Sequence, residues 1–392
     1  MLQRERPPIE VLLSQISHHW RNVALGTPKL WSRIDMLKFA SLYLQRSKAV
    51  PFTLDLPATS TYFSIGDVRD DEVVREALEQ LPLHLGRCRS LKFHCNDQRE
   101  MALFMPCLAA SSAPSLLSLQ LLCRSSQSHN SEYKYVYHGG FPAMSNLHLC
   151  NVHLKPFYAA LRAVTTLDFT VTRPLRVSTL SELCDALNSA PSLKTFKFHG
   201  DTPDAWTWQP PVGISTPSLR SLSINTKTGS VICGLLRIIH APSLSQLNLN
   251  NVPAQALADF PEGPAQDALP KFPLLYKLEI GALGFDPRRI MEAFPTVQEL
   301  VLGQFANNIE QFLALLRIHA HWPLLCTLTI PSGSSLDILQ KVSLAQEAMG
   351  RPIKKLKLYP GLLRQVERAS KAEGSVFRRT ELASLARSSS EY

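Results

Sequence analysis

The chain has 392 residues, 45% hydrophobic, 19% charged and 8% aromatic, with a formal net charge of +9. That length and balance exclude a disordered chain and allow one long domain or two to three ordinary ones, and no apolar run approaches the length needed to span a bilayer. The positive charge is terminal: residues 1–48 hold 8 basic and 3 acidic groups and residues 351–392 hold 10 and 4, while residues 49–350 hold 23 and 25.

Taken in chain order, the first patterned stretch is "EVLLSQISHHWRNVA", in which Leu12, Leu13, Ile16, Trp20, Val23 and Ala24 fall on one helical face. Gly26 stops the helix, and Pro28 opens a short turn that returns Leu30 and Trp31 toward it. The expectation is a small helical core shared by Trp20 and Trp31, or equally a hydrophobic cap on whatever follows, since terminal units of stacked folds are atypical.

From residue 50 onward a repeat dominates. The segments "APSLLSLQL" (113–121), "FPAMSNLHL" (141–149), "APSLKTFKF" (190–198), "TPSLRSLSI" (216–224), "APSLSQLNL" (241–249), "FPLLYKLEI" (272–280), "FPTVQELVL" (294–302) and "WPLLCTLTI" (322–330) share P-x-Φ-x-x-L-x-L, where Φ is apolar. Weaker copies stand at 50–56, 87–93, 164–169 and 351–358. The first residue of each final apolar pair falls at 54, 91, 119, 147, 167, 196, 222, 247, 278, 300, 328 and 356. The mean step is about 27 residues, inside the range of leucine-rich repeats.

L-x-L has period two, so both apolar residues turn inward and the middle residue turns out. A short parallel strand per repeat is predicted. Between strands, helical spacing recurs at Val74, Ala77, Leu78, Leu81; Leu180, Leu183, Cys184, Leu187; Ile232, Leu235, Leu236, Ile239; and Ile309, Phe312, Leu313, Leu316. Thr179 with Glu182 and Asn307 with Glu310 form capping-box pairs. No single unit buries both its strand and its helix, so the fold class predicted is α/β: a leucine-rich-repeat-like solenoid, a curved parallel sheet with outer helices. An open sheet of separate domains leaves the recurring Pro-Ser-Leu signature unexplained. "NLNNV" (248–252) and "LHLCNV" (147–152) approach the asparagine ladder of regular repeats.

The outward middle residues make the ligand-facing surface: Lys92, Gln120, His148, Asp168, Lys197, Ser223, Asn248, Glu279, Val301, Thr329 and Lys357. Their mixed charge argues against nucleic acid. Inserts at 125–140, 201–215 and 253–271 interrupt the repeats. Within them Trp206, Trp208, Tyr133, Tyr135 and Tyr137 read as aromatic anchors for a partner or, with greater weight, as rings folded back on the solenoid. Residues 361–383 are expected to form a helix closing the open end, followed by a disordered tail.

No phosphate-binding loop, nucleophile elbow or H-E-x-x-H occurs, so no enzyme activity and no cofactor are expected. His148, Cys150 and His153 in "LHLCNVHL" are the densest metal-like group, but a metal site needs three or four convergent ligands with a second shell and nothing else nearby supplies them; His319 and His321 are no better. The eight dispersed cysteines without C-x-x-C, and an N-terminus interrupted by Arg4, Glu5, Arg6 and Glu10, point to packing roles in a reducing intracellular setting, cytoplasmic or nuclear.

Residues 12–34, "LLSQISHHWRNVALGTPKLWSRI", resemble the second half of the F-box-like motif of fungal, especially basidiomycete, proteins. Ile16, Ser17, Trp20, Arg21, Ala24, Thr27, Pro28, Leu30 and Trp31 occupy its V-C-x-x-W-R-x-x-A and T-P-x-L-W places. "LYLQRSKAVPFTLDL" (42–56) resembles the linker that follows the motif, and 50–360 resembles the irregular leucine-rich repeats of such proteins. The family's opening L-P-x-E helix is not matched, so the module reads as truncated.

The resemblance implies an adaptor that binds the Skp-type subunit of a cullin-RING ubiquitin ligase and holds a protein substrate on its repeats. Leu12, Leu13, Ile16, Trp20, Val23, Ala24, Pro28, Leu30 and Trp31 would then be F-box core or adaptor contacts. The alternative is a non-catalytic repeat scaffold with a vestigial F-box. The domain plan is 1–36 partial F-box-like module, 37–49 linker helix, 50–360 solenoid and 361–392 capping helix and tail, in a chain monomeric apart from the adaptor, without membrane or nucleic-acid partners.

Overall fold

The computed structural model describes residues 8–35, 39–56, 78–109, 111–124, 141–172, 180–200, 213–250, 271–281, 287–303, 309–318, 322–330, 336–371, 377 and 380–384. The chain divides into two compact units, Met1–Ser192 and Leu193–Tyr392.

Unit 1 opens with α1 (Ile9–Ile16) and α2 (His18–Leu25), a 3-10 turn at Pro28–Trp31, β1 (Arg33–Ile34), α3 (Ala40–Arg46) and β2 (Phe52–Leu56). There follow α4, whose described residues are 78–84, then β3 (Cys88–Cys95), α5 (Gln98–Ala109), β4 (Ser118–Cys123), β5 (Asn146–Cys150), β6 (Thr166–Val171) and α6 (Leu180–Asn188). Its strands lie in chain order and all pair in parallel.

Unit 2 holds β7 (Thr195–Gly200), β8 (Ile214–Ser215), β9 (Ser221–Asn225), α7 (Gly229–Ile238), β10 (Ile239–His240), β11 (Gln246–Asn250) and β12 (Lys277–Ile280). It continues with α8 (Pro287–Ala293), β13 (Glu299–Leu302), α9 (Ile309–Ile318), β14 (Thr327–Ile330), α10 (Leu336–Ala348), β15 (Lys355–Leu358), α11 (Pro360–Ser370) and β16 (Glu381–Ser384). The main strands again pair in parallel, β7 with β9, β9 with β11, and onward to β16, while β8 and β10 form a separate two-stranded pair.

The register follows the sequence marks. In unit 1 Leu54 aligns with Leu91, Leu119, Leu147 and Leu167; in unit 2 Phe196 aligns with Leu222, Leu247, Leu278, Leu300, Leu328 and Leu356. All of these side chains are buried. The fold is an α/β solenoid of leucine-rich-repeat type, one parallel strand per repeat.

The P-x-Φ signature has a local cause. In most strong copies the Φ amide donates to the carbonyl of the residue before the proline, as Leu116 does to Ala113 (3.1 Å), Leu244 to Ala241 (3.0 Å), Leu275 to Phe272 (3.1 Å) and Leu325 to Trp322 (3.1 Å). Proline suits the second position of such a turn because its φ is preset and its missing donor is not needed there. The following amides then bond the previous repeat, as Ser145 and Asn146 do with Leu117 O at 3.0 Å. Each turn therefore ends a helix or loop and sets the next strand in register.

The helical faces follow the spacing where described: Leu78 and Leu81, Leu183 and Leu187, Ile232, Leu235 and Leu236, and Leu313 and Leu316 are buried. Val74, Ala77, Thr179 and Asn307 lie outside the described residues. α5 was not among the predicted helices. It contains Pro106, yet buries Met101, Phe104, Met105 and Leu108, with Phe104 stacked on Phe93 at 4.1 Å. Four buried side chains outweigh the roughly 3 kcal/mol that an interior proline costs.

The C-terminus departs from the expected helix over 361–383. α11 stops at Ser370, and residues 381–384 add a strand to β15, with Lys355 opposite Glu381 and Leu356 opposite Leu382. Without β16 the backbone groups of β15 would stand bare at the sheet edge, and Glu381 N donates to Lys354 O at 2.8 Å instead.

Candidate functional site

Two surfaces of unit 1 and one of unit 2 hold the residues singled out from sequence. The first is the N-terminal helical module. Here the structure corrects the expectation of one continuous helix with a shared tryptophan core. Ser17 is extended (φ −155°, ψ 167°) and its hydroxyl accepts from Trp20 N at 3.3 Å, so it caps a second helix rather than continuing the first. A serine side chain competes with the helical ladder in this way and is favoured at such a position.

The break divides the apolar stripe. Val11, Ser14, Ala24 and Trp31 are buried, Leu13 and Pro28 are half-buried, and Leu12, Ile16, Trp20, Val23 and Leu30 are exposed. Trp31 is fully buried, donates from Nε1 to Ala24 O at 2.8 Å, meets Tyr43 edge-on at 5.1 Å and lies under the Arg46 guanidinium at 4.3 Å. Trp20, by contrast, is 46% exposed and Ile16 64%. With Ile9 and Leu25, seven large apolar side chains between residues 9 and 30 face outward.

This module is continuous with the sheet. β1 pairs with β2, Arg33 opposite Thr53 and Ile34 opposite Leu54. Arg87, in the turn before β3, donates from Nη1 to Ser47 Oγ and Val50 O, both at 2.8 Å, and from Nη2 to Leu44 O at 2.5 Å. It thereby caps the end of α3, whose last carbonyls have no helical partner.

The second surface is the outward strand face of unit 1. Asp55, Lys92, Gln120, His148 and Asp168 stand opposite one another on β2 to β6. Lys92 Nζ lies 3.7 Å from Asp55 Oδ2 and His148 Nε2 lies 3.9 Å from Asp168 Oδ1, with side chains 22% to 39% exposed. Two residues on, His94 stands opposite Leu122, and Cys150 opposite Thr170. His94 is held below the ordinary histidine range by burial first and then by Lys92, against an opposing pull from Asp55, while Arg124 and His148 push it further down.

At the upper end of this face sits the one described ladder-like asparagine of unit 1. Asn151 is buried with φ 55°; its Nδ2 donates to Cys123 O (2.7 Å) and Thr172 Oγ1 (2.8 Å), and its Oδ1 accepts from Thr172 N (2.9 Å). Cys150 beside it is pushed up to about 11 by burial, then by Cys123 and Asp168. His153 turns away from His148 into the interior, its Nδ1 3.9 Å from Glu182. Among the described residues no three histidines, cysteines or carboxylates converge as metal ligands do.

The third surface is the strand face of unit 2. Lys197, Ser223, Asn248, Glu279, Val301, Thr329 and Lys357 form one aligned row. One row below, Glu299 receives Lys357 Nζ at 2.7 Å and Lys277 Nζ at 3.9 Å, so one carboxylate is shared by lysines from two strands. Lys355 pairs with Glu381 beside them. Trp206, Trp208 and the three insert tyrosines lie outside the described residues.

Sequence reading placed the middle row and missed Asp55, His94, Arg124, Lys277 and Glu299. Their signal is positional: Asp55 stands on a weak repeat copy, His94, Lys277 and Glu299 lie two residues from a middle position and Arg124 lies four, so each falls on the same alternation.

No family model matches the chain, and no curated protein does. Among solved structures the chain is similar to a leucine-rich repeat-containing protein, LegL7, of Legionella pneumophila, at 15% identity and a TM-score of 0.41 over 79% of this chain and 90% of that one. It is also similar to an internalin, InlF, of Listeria monocytogenes, at 11% identity and a TM-score of 0.33 over 88% of this chain and 84% of that one. Among the described residues no helix is long and apolar enough to cross a membrane.

Proposed function

We propose that the chain is a non-catalytic protein-binding repeat protein that serves as a substrate-recognition adaptor of a cullin-RING ubiquitin ligase. In this reading the N-terminal module docks on the Skp-type subunit and the strand faces hold a protein target. The observation that carries it is the outward row of Ile9, Leu12, Ile16, Trp20, Val23, Leu25 and Leu30. Six of the seven, all but Ile9, lie within residues 12–34, which resemble the F-box-like motif. Apolar side chains grouped at that density on a solvated module mark a surface that a partner covers.

The mixed charges of both strand faces suit a protein rather than the single-sign track of a nucleic acid. The alternative reading, a scaffold whose vestigial F-box no longer engages a ligase, is favoured by a separate observation: the module also works as the end cap of unit 1 through β1 and Arg87.

Co-expression with the Skp-type subunit of the same organism separates the two. A stoichiometric complex that is lost in Trp20→Ala and Ile16→Ala, both exposed and expected to fold, supports the adaptor. A folded protein that never forms the complex leaves the scaffold.

A further inference from the structure

The charges on the strand face of unit 1 are sorted by strand. A carboxylate stands on β2 (Asp55), cations stand on β3 and just beyond β4 (Lys92 and Arg124), and a second carboxylate stands on β6 (Asp168). Gln120 and His148 occupy the positions between Lys92 and Asp168. The Lys92–Asp55 pair, at 3.7 Å, is looser than a hydrogen bond and partly solvated, so it contributes little and is easily exchanged for a ligand's charge.

We propose that this face binds an extended protein segment with the charge order basic, acidic, basic, its acidic residue over Lys92 and its two basic residues over Asp55 and Asp168. The proposal rests on the protein-binding reading above and adds the chemistry of what is bound.

The spacing sets the segment. Four inter-strand steps of about 4.8 Å put Asp55 and Asp168 roughly 19 Å apart, and an extended chain rising about 3.3 Å per residue covers that distance in six residues. Alternate side chains of an extended chain share a face, so positions i, i+2, i+4 and i+6 all point at the strands. Position i meets Asp55, i+2 meets Lys92, i+4 meets Gln120 and His148, and i+6 meets Asp168. The expected pattern is K-x-E-x-Q-x-K, with arginine equivalent to lysine at either end.

The test uses the full chain and two fluorescein-labelled peptides, Lys-Ser-Glu-Ser-Gln-Ser-Lys and its charge-swapped form Glu-Ser-Lys-Ser-Gln-Ser-Glu, by anisotropy at low ionic strength, where exposed charges are least screened. The first is expected to bind about tenfold tighter than the second. In Asp55→Lys/Asp168→Lys the preference is expected to invert toward a peptide with acidic ends, and a thermal melt verifies folding. Asp55→Asn/Asp168→Asn, which preserves shape, is expected to remove the preference without inverting it. Equal binding of both peptides, or a preference unchanged in the variants, overturns the proposal. Tighter binding of the swapped peptide, abolished by Lys92→Ala, overturns the charge order while leaving the face a protein-binding surface. No binding of either also overturns it, and the Skp-type complex, which uses residues 9–30, is scored separately.

Discussion

The two tryptophans of the N-terminal module provide the sharpest test of its structure. Their sequence settings are similar, and their environments are not. Trp31 is 0% exposed, and its replacement by alanine removes on the order of 200 Å² of buried surface, an upper bound of roughly 5 kcal/mol. Core Trp→Ala changes cost about 3–5 kcal/mol, and loss of the Arg46 cation–π contact adds about 0.5–1 kcal/mol. The lost indole hydrogen bond adds little, because Ala24 O retains Thr27 N at 3.3 Å. Trp31→Ala is therefore expected to destabilise the module by about 4–5 kcal/mol, and Trp31→Phe by about 1–2 kcal/mol. Trp20→Ala, at a half-solvated site, is expected to cost less than about 1 kcal/mol. Amide hydrogen exchange of residues 9–34, read by mass spectrometry beside a urea melt, measures the local opening directly. Equal loss of protection in Trp20→Ala and Trp31→Ala would refute the split at Ser17 and restore a shared tryptophan core.

Three further perturbations test the solenoid. Asn151→Ala removes the bonds to Cys123 O and Thr172 N and places alanine at φ 55°, and a loss of about 2–4 kcal/mol is expected in a thermal or urea melt. A Cβ on Gly281 would lie 1.9 Å from Asn250 Oδ1 and 3.3 Å from its Cα, so Gly281→Ala is expected to destabilise and Asn250→Ala to rescue it in part; strictly additive single effects would show that the clash is absent. Burial pushes the Cys88 thiol up to about 12 against an ordinary 9.0, so its contribution to stability is whole below pH 9 and is lost as pH rises toward 12. At pH 8 iodoacetamide is expected to label Cys326 in the folded protein well before Cys88 or Cys95, and early labelling of Cys88 would contradict its burial.

The solenoid was legible because its determinants are local and repeated. P-x-Φ is a turn closed within four residues and L-x-L is a facing rule, so each of the twelve marks could be placed without knowing its neighbours, and each lies in a parallel strand. Two of the strands outside that pattern, β1 at Arg33–Ile34 and β16 at Glu381–Ser384, lack an L-x-L triplet and supply partners to an adjacent strand edge. α5 was obscured by Pro106, whose local penalty is overridden by burial that only the packed repeat supplies. The middle row of the candidate site followed from the facing rule, whereas His94 and Arg124 lie beyond the L-x-L triplet, at positions set by how far β3 and β4 continue.

The same distinction explains the misassigned N-terminal stripe and gives it meaning. Helical periodicity reports which residues share a face, not whether that face meets protein or water, and a single capping serine was enough to redirect it. The residues left outside are apolar, while those holding the module in place, Trp31, Arg87 and the Arg33–Ile34 strand, are fully engaged. β2 pairs with β1 on one side, and its Asp55 begins the charged row on the other. The module and the strand face of unit 1 are thus joined through one strand rather than a loose linker. A partner seated on Ile16 and Trp20 would be held in fixed register with whatever occupies the row from Asp55 to Asp168, which is the geometry that bringing two proteins together requires.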